Sequence, residues 1–290
     1  MDHESEHAER IDHVGVVGAG LMGSGIAEVC ARAGLDVVVV EADEGLADRG
    51  RASLEASLQT GVRRQKLTDE EAQKALSAVT FTTDYGALSD RHLVVEAITE
   101  DEAAKVACFR ILDEVVEPER AILASNTSSI PIMKLATVTG RPEQVIGLHF
   151  FNPVPVLRLV ELVTSLMTSA EVVQRATSFV TGMLSKRVIR SQDRAGFVVN
   201  ALLIPYLLSS IRMMESGFAT RDDIDAGMVE GCAHPMGPLA LCDLIGLDTM
   251  QSVAESLYDE FKEPLHAPPP LLLRMVEAGL LGRKSGRGFY

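Results

Sequence analysis

The sequence predicts an α/β chain in which a mostly parallel, two-sided sheet is followed by an all-helical segment. Three observations carry this. Short apolar strands alternate with helical segments through the first half. A glycine turn directly follows the first of those strands. No strand signal remains after about Asp193, where helices punctuated by Gly and Pro take over. The boundary is placed near Ser191–Ala195, giving expected domains over residues 1–192 and 193–290.

The elements read in order. HVGVVGAG at 13–20 is a strand running into a glycine turn, Leu21–Ala33 a helix stopped by Gly34, and DVVVVEAD the second strand. Val79–Thr83, Leu93–Ile98, Ala121–Ser125 and Val145–Phe150 continue the strand series. Thr68 to Glu71 reads as a capping box opening one helix, and Thr168 to Glu171 as another. Continuous apolar strands of this kind are covered on both faces. LRLVELV at 157–163 instead alternates, so Leu157, Leu159, Glu161 and Val163 are expected on one face. Gly196–Met214 is the one membrane-like stretch. Asn200, Pro205 and Arg212 within it favour a buried helix over a span.

Composition narrows the partners. With 47% hydrophobic and 23% charged residues the chain reads as a soluble globular protein. A net charge of −14 argues against nucleic acid and anionic membrane as general partners, and an anionic small ligand would need a local basic patch. Cys30, Cys108, Cys232 and Cys242 form no C-x-x-C pair and read as reduced thiols of a cytoplasmic protein, with no metal site expected. The polar, acidic N-terminus is unlike a signal or transit peptide.

Five constellations carry chemistry. Gly18, Gly20 and Gly23, with Leu21 and Met22 between them, form G-x-G-x-x-G between a strand and a helix, the setting that accepts a dinucleotide pyrophosphate. Glu41 ends the second strand, where an acid binds the adenosine ribose diol and repels a 2′-phosphate. NAD is therefore expected over NADP. His149 ends the strand VIGLHFF, and a short turn at Asn152-Pro153 could return the chain to set Glu161 beside it. The pair is either a positioned proton acceptor or a buried structural ion pair. Ser125–Ser129 follows a strand end facing the ligand crevice. One serine can hold a substrate oxygen while Ser128 or Ser129 caps the helix that Pro131 begins. Asn200, within an apolar helix, makes either a helix–helix bond or a ligand contact. Arg63, Arg64 and Lys66, preceded by Ser57, are either a phosphate-holding cluster or a solvated helix end.

These motifs together resemble the L-3-hydroxyacyl-CoA dehydrogenases, and within them the short bacterial 3-hydroxybutyryl-CoA dehydrogenases. The matching runs are VGVVGAGLMGSGIAEV, VVEAI, ASNTSS, GLHFFNPVP, GFVVN, PMGPLAL and GRKSGRGFY, and the resemblance spans Ile11–Tyr290. It implies a Rossmann-type first domain and an all-α second domain carrying substrate contacts and a homodimer interface. It also implies a stand-alone enzyme without fused thiolase- or hydratase-type segments. By resemblance His149 is the base, Glu161 its orienting carboxylate, Ser128 the hydroxyl on the substrate and Asn200 the polarising amide. Glu41, Glu100, Lys105, Asn152 and Lys284 match cofactor-contacting positions. Ser57 and Arg64 match positions reaching CoA, the latter a lysine in the relative compared. Two departures stand out: Ala195 replaces a frequent proline in DRAGF, and Glu41 replaces the commoner aspartate. The expected activity is NAD-dependent interconversion of (S)-3-hydroxyacyl-CoA, with 3-hydroxybutyryl-CoA the favoured substrate, and 3-oxoacyl-CoA. The rivals are a gulonate-type hydroxy-acid dehydrogenase and a non-catalytic NAD-binding protein.

Overall fold

The computed structural model describes residues 10–290. The chain divides into two compact units, the first ending at Asp193 and the second running Arg194–Tyr290.

The first unit opens with β1 (His13–Val17), α1 (Leu21–Arg32), β2 (Asp36–Val40), α2 (Glu44–Arg63), α3 (Asp69–Ser77) and β3 (Val79–Thr82). It continues with β4 (Leu93–Glu96), α4 (Glu102–Val115), β5 (Ile122–Ser125), α5 (Ile132–Ala136), β6 (Val145–Phe150), β7 (Leu159–Thr164), α6 (Ala170–Ser178) and β8 (Arg187–Gln192). The eight strands form one sheet in the order β3-β2-β1-β4-β5-β6-β7-β8. Every neighbouring pair is parallel except β6 with β7. The valine-rich strands β1, β2 and β4 are buried on both faces, as helix-covered parallel strands must be. Strand order reverses about β1, which pairs with β2 on one side and β4 on the other. A crevice at the strand C-termini is expected at such a reversal. This is the Rossmann-type sheet that the sequence predicts.

The second unit contains α7 (Val199–Glu215), α8 (Arg221–Cys232), α9 (Pro238–Ile245), α10 (Leu247–Phe261) and α11 (Pro270–Glu277) around Leu207, Leu208, Leu239, Met250 and Leu257. Two buried aspartates fasten it. Asp225 accepts from the amides of Leu239 and Ala240 at the start of α9, and Asp243 from those of Phe289 and Tyr290. Each carboxylate satisfies backbone donors that would otherwise be orphaned.

Local signals were realised unevenly. The Thr68 box forms in full, with Glu71 bonding back to the Thr68 amide. The Thr168 box does not. Ser169 is the cap of α6 and accepts from Val172 N, while Thr168 Oγ1 donates to Val145 O at 2.8 Å. The neighbouring strand offered Thr168 a stronger partner than its own helix did. The strand reading of residues 157–163 holds from Leu159. Leu159, Glu161 and Val163 alternate along one face of β7, while Leu157 lies before it and is 42% exposed; Val160 to Val163 are all buried, because β7 is an interior strand between β6 and β8. Gly196–Met214 is a helix only from Val199, and Leu202 within it is 74% exposed, so it is amphipathic rather than wholly buried. Among the described residues no helix is long and apolar enough to cross a membrane.

Replacing Ser169 with Ala should lower stability by about 1 kcal/mol through loss of the α6 cap. In calorimetry this is a downward shift of about 2–4 °C in the transition of a unit this size. An unchanged midpoint would return the capping role to Thr168.

Candidate active site

The glycine turn is shaped for close approach. Gly18 has φ +96°, a conformation in which a side chain is strained. A Cβ on Gly23 would sit 1.8 Å from Gly18 O, so α1 starts directly against the loop. A Cβ on Gly20 would meet nothing within 4 Å, so the space above the turn is open. Gly20 is the N-cap of α1 and supplies no side-chain cap, leaving first-turn amides without an intrahelical partner. Glu41 follows β2 and curls onto this loop, its Oε1 accepting from Ala19 N at 2.5 Å. Backbone donors, a helix N-terminus and an adjacent carboxylate make a cradle that fits the pyrophosphate and ribose of a dinucleotide.

Across the sheet, the antiparallel register pairs His149 directly with Glu161. Glu161 has no exposed surface and His149 is 4% exposed. Imidazole Nδ1 lies 2.7 Å from Glu161 Oε2, and Nε2 lies 2.9 Å from the Ser128 hydroxyl. Phe151 tilts its ring against the imidazole at 4.6 Å. An ionised carboxylate can only accept, so a neutral imidazole bound to it carries its proton on Nδ1 and turns the Nε2 lone pair to Ser128. The β6–β7 pairing, with the loop after β5, thus brings three predicted residues into one chain of hydrogen bonds.

The loop holding Ser128 is itself held by acids. Glu96 ends β4 beside Ser125, which ends β5. Its carboxylate accepts from Ser125 Oγ at 2.6 Å, from Ile98 N at 2.8 Å and from Lys105 Nζ at 2.5 Å. Lys105 is 1% exposed and also reaches Glu100 at 3.4 Å. Glu100 in turn accepts from Thr127 Oγ1 and from the Ser128 and Ser129 amides. Burial raises the Glu100 carboxyl, but Lys105 and the donors of Thr127, Ser128 and Ser129 outweigh it, leaving the group below its ordinary 4.5. Asn126 completes the anchor by accepting from Phe150 N, next to His149.

Glu96 and Asn126 were missed in the sequence. The signal for Glu96 was an acid closing the apolar strand LVVE, which demands a buried partner. Lys105, matched by resemblance to cofactor contact, is turned to that partner. The expected serine cap of α5 is also corrected. The amides of Ile132 and Met133 are taken by the Asp193 carboxylate at 2.7 Å each, so neither Ser128 nor Ser129 is used for it.

A second grouping lies along α1. Leu21, Ser24, Gly25 and Glu28 line a small groove with Ser57 of α2 and Asn152. Arg63 and Arg64 are exposed at the end of α2, as in the solvated-end reading. In the second unit, Asn200 lies in the first turn of α7, and Lys284 forms an ion pair with Asp248.

Comparison with known proteins follows the two units. The family model described as the NAD binding domain of 3-hydroxyacyl-CoA dehydrogenase matches residues 13–194, and that of its C-terminal domain matches residues 196–290. The chain is 59% identical to a 3-hydroxybutyryl-CoA dehydrogenase of Mycobacterium tuberculosis over 98% of this chain and 99% of the relative. It is 40% identical to the human mitochondrial hydroxyacyl-coenzyme A dehydrogenase, over 97% and 91% respectively. Among solved structures, M. tuberculosis FadB2 superposes with a TM-score of 0.96 at 59% identity, covering 97% of this chain and 98% of that one. The (S)-3-hydroxybutyryl-CoA dehydrogenase PaaH1 of Ralstonia eutropha gives 0.91 at 45% identity, covering 97% and 99%.

The Glu100 shift fixes a pH signature. A depressed folded value means that the carboxylate's stabilisation is complete above the ordinary value of 4.5 and is lost as pH falls through the folded value. The stability gap between the native chain and Glu100→Gln should therefore be constant near neutrality and close on acidification below 4.5. Denaturant titrations across that range measure it. A gap that widens toward acid would reverse the sign.

Proposed function

Because the chain belongs to the 3-hydroxyacyl-CoA dehydrogenase family, we propose that it interconverts (S)-3-hydroxybutyryl-CoA and acetoacetyl-CoA with NAD, as a cytoplasmic enzyme. The observation that carries this reading is the Glu161–His149–Ser128 chain at 2.7 and 2.9 Å. His149 Nε2 takes the proton of the 3-hydroxyl. Glu161 holds the tautomer that leaves Nε2 basic and stabilises the imidazolium that forms. Ser128 donates to the substrate oxygen, and family resemblance assigns Asn200 a polarising amide. The chain of bonds from Lys105 through Glu100 to the Ser128 amide keeps the hydroxyl in place before substrate arrives, so little reorganisation is needed during reaction. Apolar walls, including Phe151, limit water at the imidazole.

The glycine cradle, with Gly18, Gly20, Leu21, Met22 and Gly23, would hold the dinucleotide, and bound NAD supplies the hydride acceptor for C3. Glu100, Lys105, Asn152 and Lys284 are assigned to its support, Lys105 acting through Glu96 and Glu100. Glu41 favours NAD over NADP, because its carboxylate at the loop repels a 2′-phosphate. Ser57 and Arg64 serve the CoA side. We assign a homodimer to the second unit, where Leu202, Met213, Phe218 and Val229 are exposed. The division of labour at residues 192/193 follows: dinucleotide and base in the first domain, substrate amide and subunit contact in the second.

Reduced-nicotinamide absorbance with acetoacetyl-CoA, set beside free acetoacetate, tests the substrate class. NADH oxidation with the CoA ester alone is the expected result. Turnover of the free acid would favour the gulonate-type reading, and consumption of NADPH at an equal rate would remove the role given to Glu41. His149→Gln should lower kcat by about 10²–10⁴-fold, the usual yield of a positioned base, with NADH affinity unchanged. Residues that act as one unit are not additive. The His149→Gln/Glu161→Gln double variant should therefore be no slower than His149→Gln alone. A multiplicative loss would separate the two residues.

A further inference from the structure

Among the described residues, two lysines are buried, Lys105 and Lys186. Lys105 meets the carboxylate of Glu96. Lys186 has no acidic partner among the described residues. Its Nζ donates instead to two backbone carbonyls, Val154 O and Leu157 O, at 2.6 Å each. Burial pushes this ammonium below its ordinary 10.5, the charge of Arg32 acts in the same direction, and Cys30 acts against it. A buried cation without an acid is costly. The residue before it adds to the cost, since Ser185 stands at φ +52°, in the left-handed region. What the molecule gains lies in the two carbonyls.

Both belong to the connection between β6 and β7, residues 151–158, which contains neither strand nor helix. The amides of Val156 and Leu157 turn back to Pro153 O. The carbonyls of Val154 and Leu157 have Lys186 as their partner, which settles two backbone acceptors that no ladder serves. An ammonium carries three donors on one atom, so a single Nζ reaches both.

Lys186 is itself fixed. Its amide donates to Val180 O at 3.0 Å. The next residue, Arg187, opens β8, donates to Arg158 O at 2.8 Å and pairs with Leu159. On the other side of the connection, Val154 is buried and packs on α1 at Gly25, where a Cβ would lie 2.9 Å from that of Val154. The connection is therefore held between α1 and the start of β8, with Lys186 as the polar tie.

The two ends of this connection carry the His149–Glu161 pair. Val154 comes five residues after His149, and Leu157 four residues before Glu161. Phe151, the first residue of the connection, rests its ring against the imidazole at 4.6 Å. A tie between Val154 and Leu157 thus restrains the approach of the two strands and the tilt of the ring. Misplacement of a reacting group by about 1 Å can cost about 10²-fold in rate.

We propose that Lys186 is a positioning residue for the reaction: its ammonium ties the β6–β7 connection at Val154 and Leu157 and so keeps Glu161 and Phe151 in place about His149. The proposal rests on the role given to His149 above, and adds a residue that acts through backbone carbonyls.

The test compares Lys186→Met, which keeps an apolar stem and removes the donors, with Lys186→Arg, which keeps charge and donors. Two quantities are read. One is kcat for acetoacetyl-CoA reduction. The other is the downfield proton resonance of the imidazole N–H bound to Glu161, identified by its absence from His149→Gln. We expect Lys186→Met to lower kcat about 10–10²-fold with NADH affinity unchanged, and to move the resonance upfield. Lys186→Arg should regain most of the lost kcat and keep the resonance. Native kcat and an unmoved resonance in Lys186→Met, whatever its melting temperature, overturn the proposal and leave Lys186 a stabilising residue only. A lowered kcat with an unmoved resonance overturns it too, because the loss then does not run through His149. If Lys186→Met does not fold, Lys186→Gln, shorter and uncharged, is read by the same criteria. If the native protein reduces no acetoacetyl-CoA, the substrate reading fails. The resonance then still decides whether Lys186 holds the pair, and an unmoved signal in the variant overturns that role.

Discussion

The structure is organised around a carboxylate that has no exposed surface. Glu161 sits in an interior strand among Val160, Leu162 and Val163, where an unpaired charge would cost several kcal/mol. The antiparallel register that sets His149 opposite relieves it. That register reverses the direction of the sheet at β7, turning an otherwise parallel array into a mixed one. A slip of one residue would carry the imidazole to the other face, so the ion pair and the strand pairing specify each other.

A second buried charge repeats the logic three strands further in. Glu96 closes β4 and Lys105 comes from α4, and their contact ties the C-terminal edge of the sheet to the helix covering it. Ser125 and Ile98 satisfy the remaining capacity of Glu96, while Glu100 passes the tension from Lys105 to the 127–129 backbone. Buried ion pairs are weak sources of net stability, but breaking one is strongly unfavourable. Their effect here is to admit few geometries of the loop that carries Ser128. Nε2 of His149 is thus framed from two sides, by Glu161 through the ring and by Glu100 through the Ser128 amide.

Much of this was legible before any coordinates. The strand–glycine–helix unit at 13–33 depends on contacts between near neighbours, and Gly18 and Gly23 are required by a positive φ and a backbone contact within the same turn. The two-unit division is written in the disappearance of period-two patterning. The His149–Glu161 pair was visible as an ionisable couple in apolar strands joined by a short connection. Where reading failed, a longer-range competitor intervened. Thr168 was drawn off its helix by Val145, and the serines were relieved of capping α5 by Asp193, some sixty residues away in the chain.

By itself, then, the sequence determined the class of fold, the place of the glycine turn and the pairing of His149 with Glu161. Each is encoded in residue periodicity or in spacing over a few tens of residues. The tertiary structure decided which nitrogen of His149 is held and which is offered, that Lys105 faces Glu96, and that Lys186 reaches two carbonyls of the β6–β7 connection. The physical reason is that a buried charge takes the partner nearest in space. Closure of the sheet and its helices, not proximity along the chain, sets which partner that is.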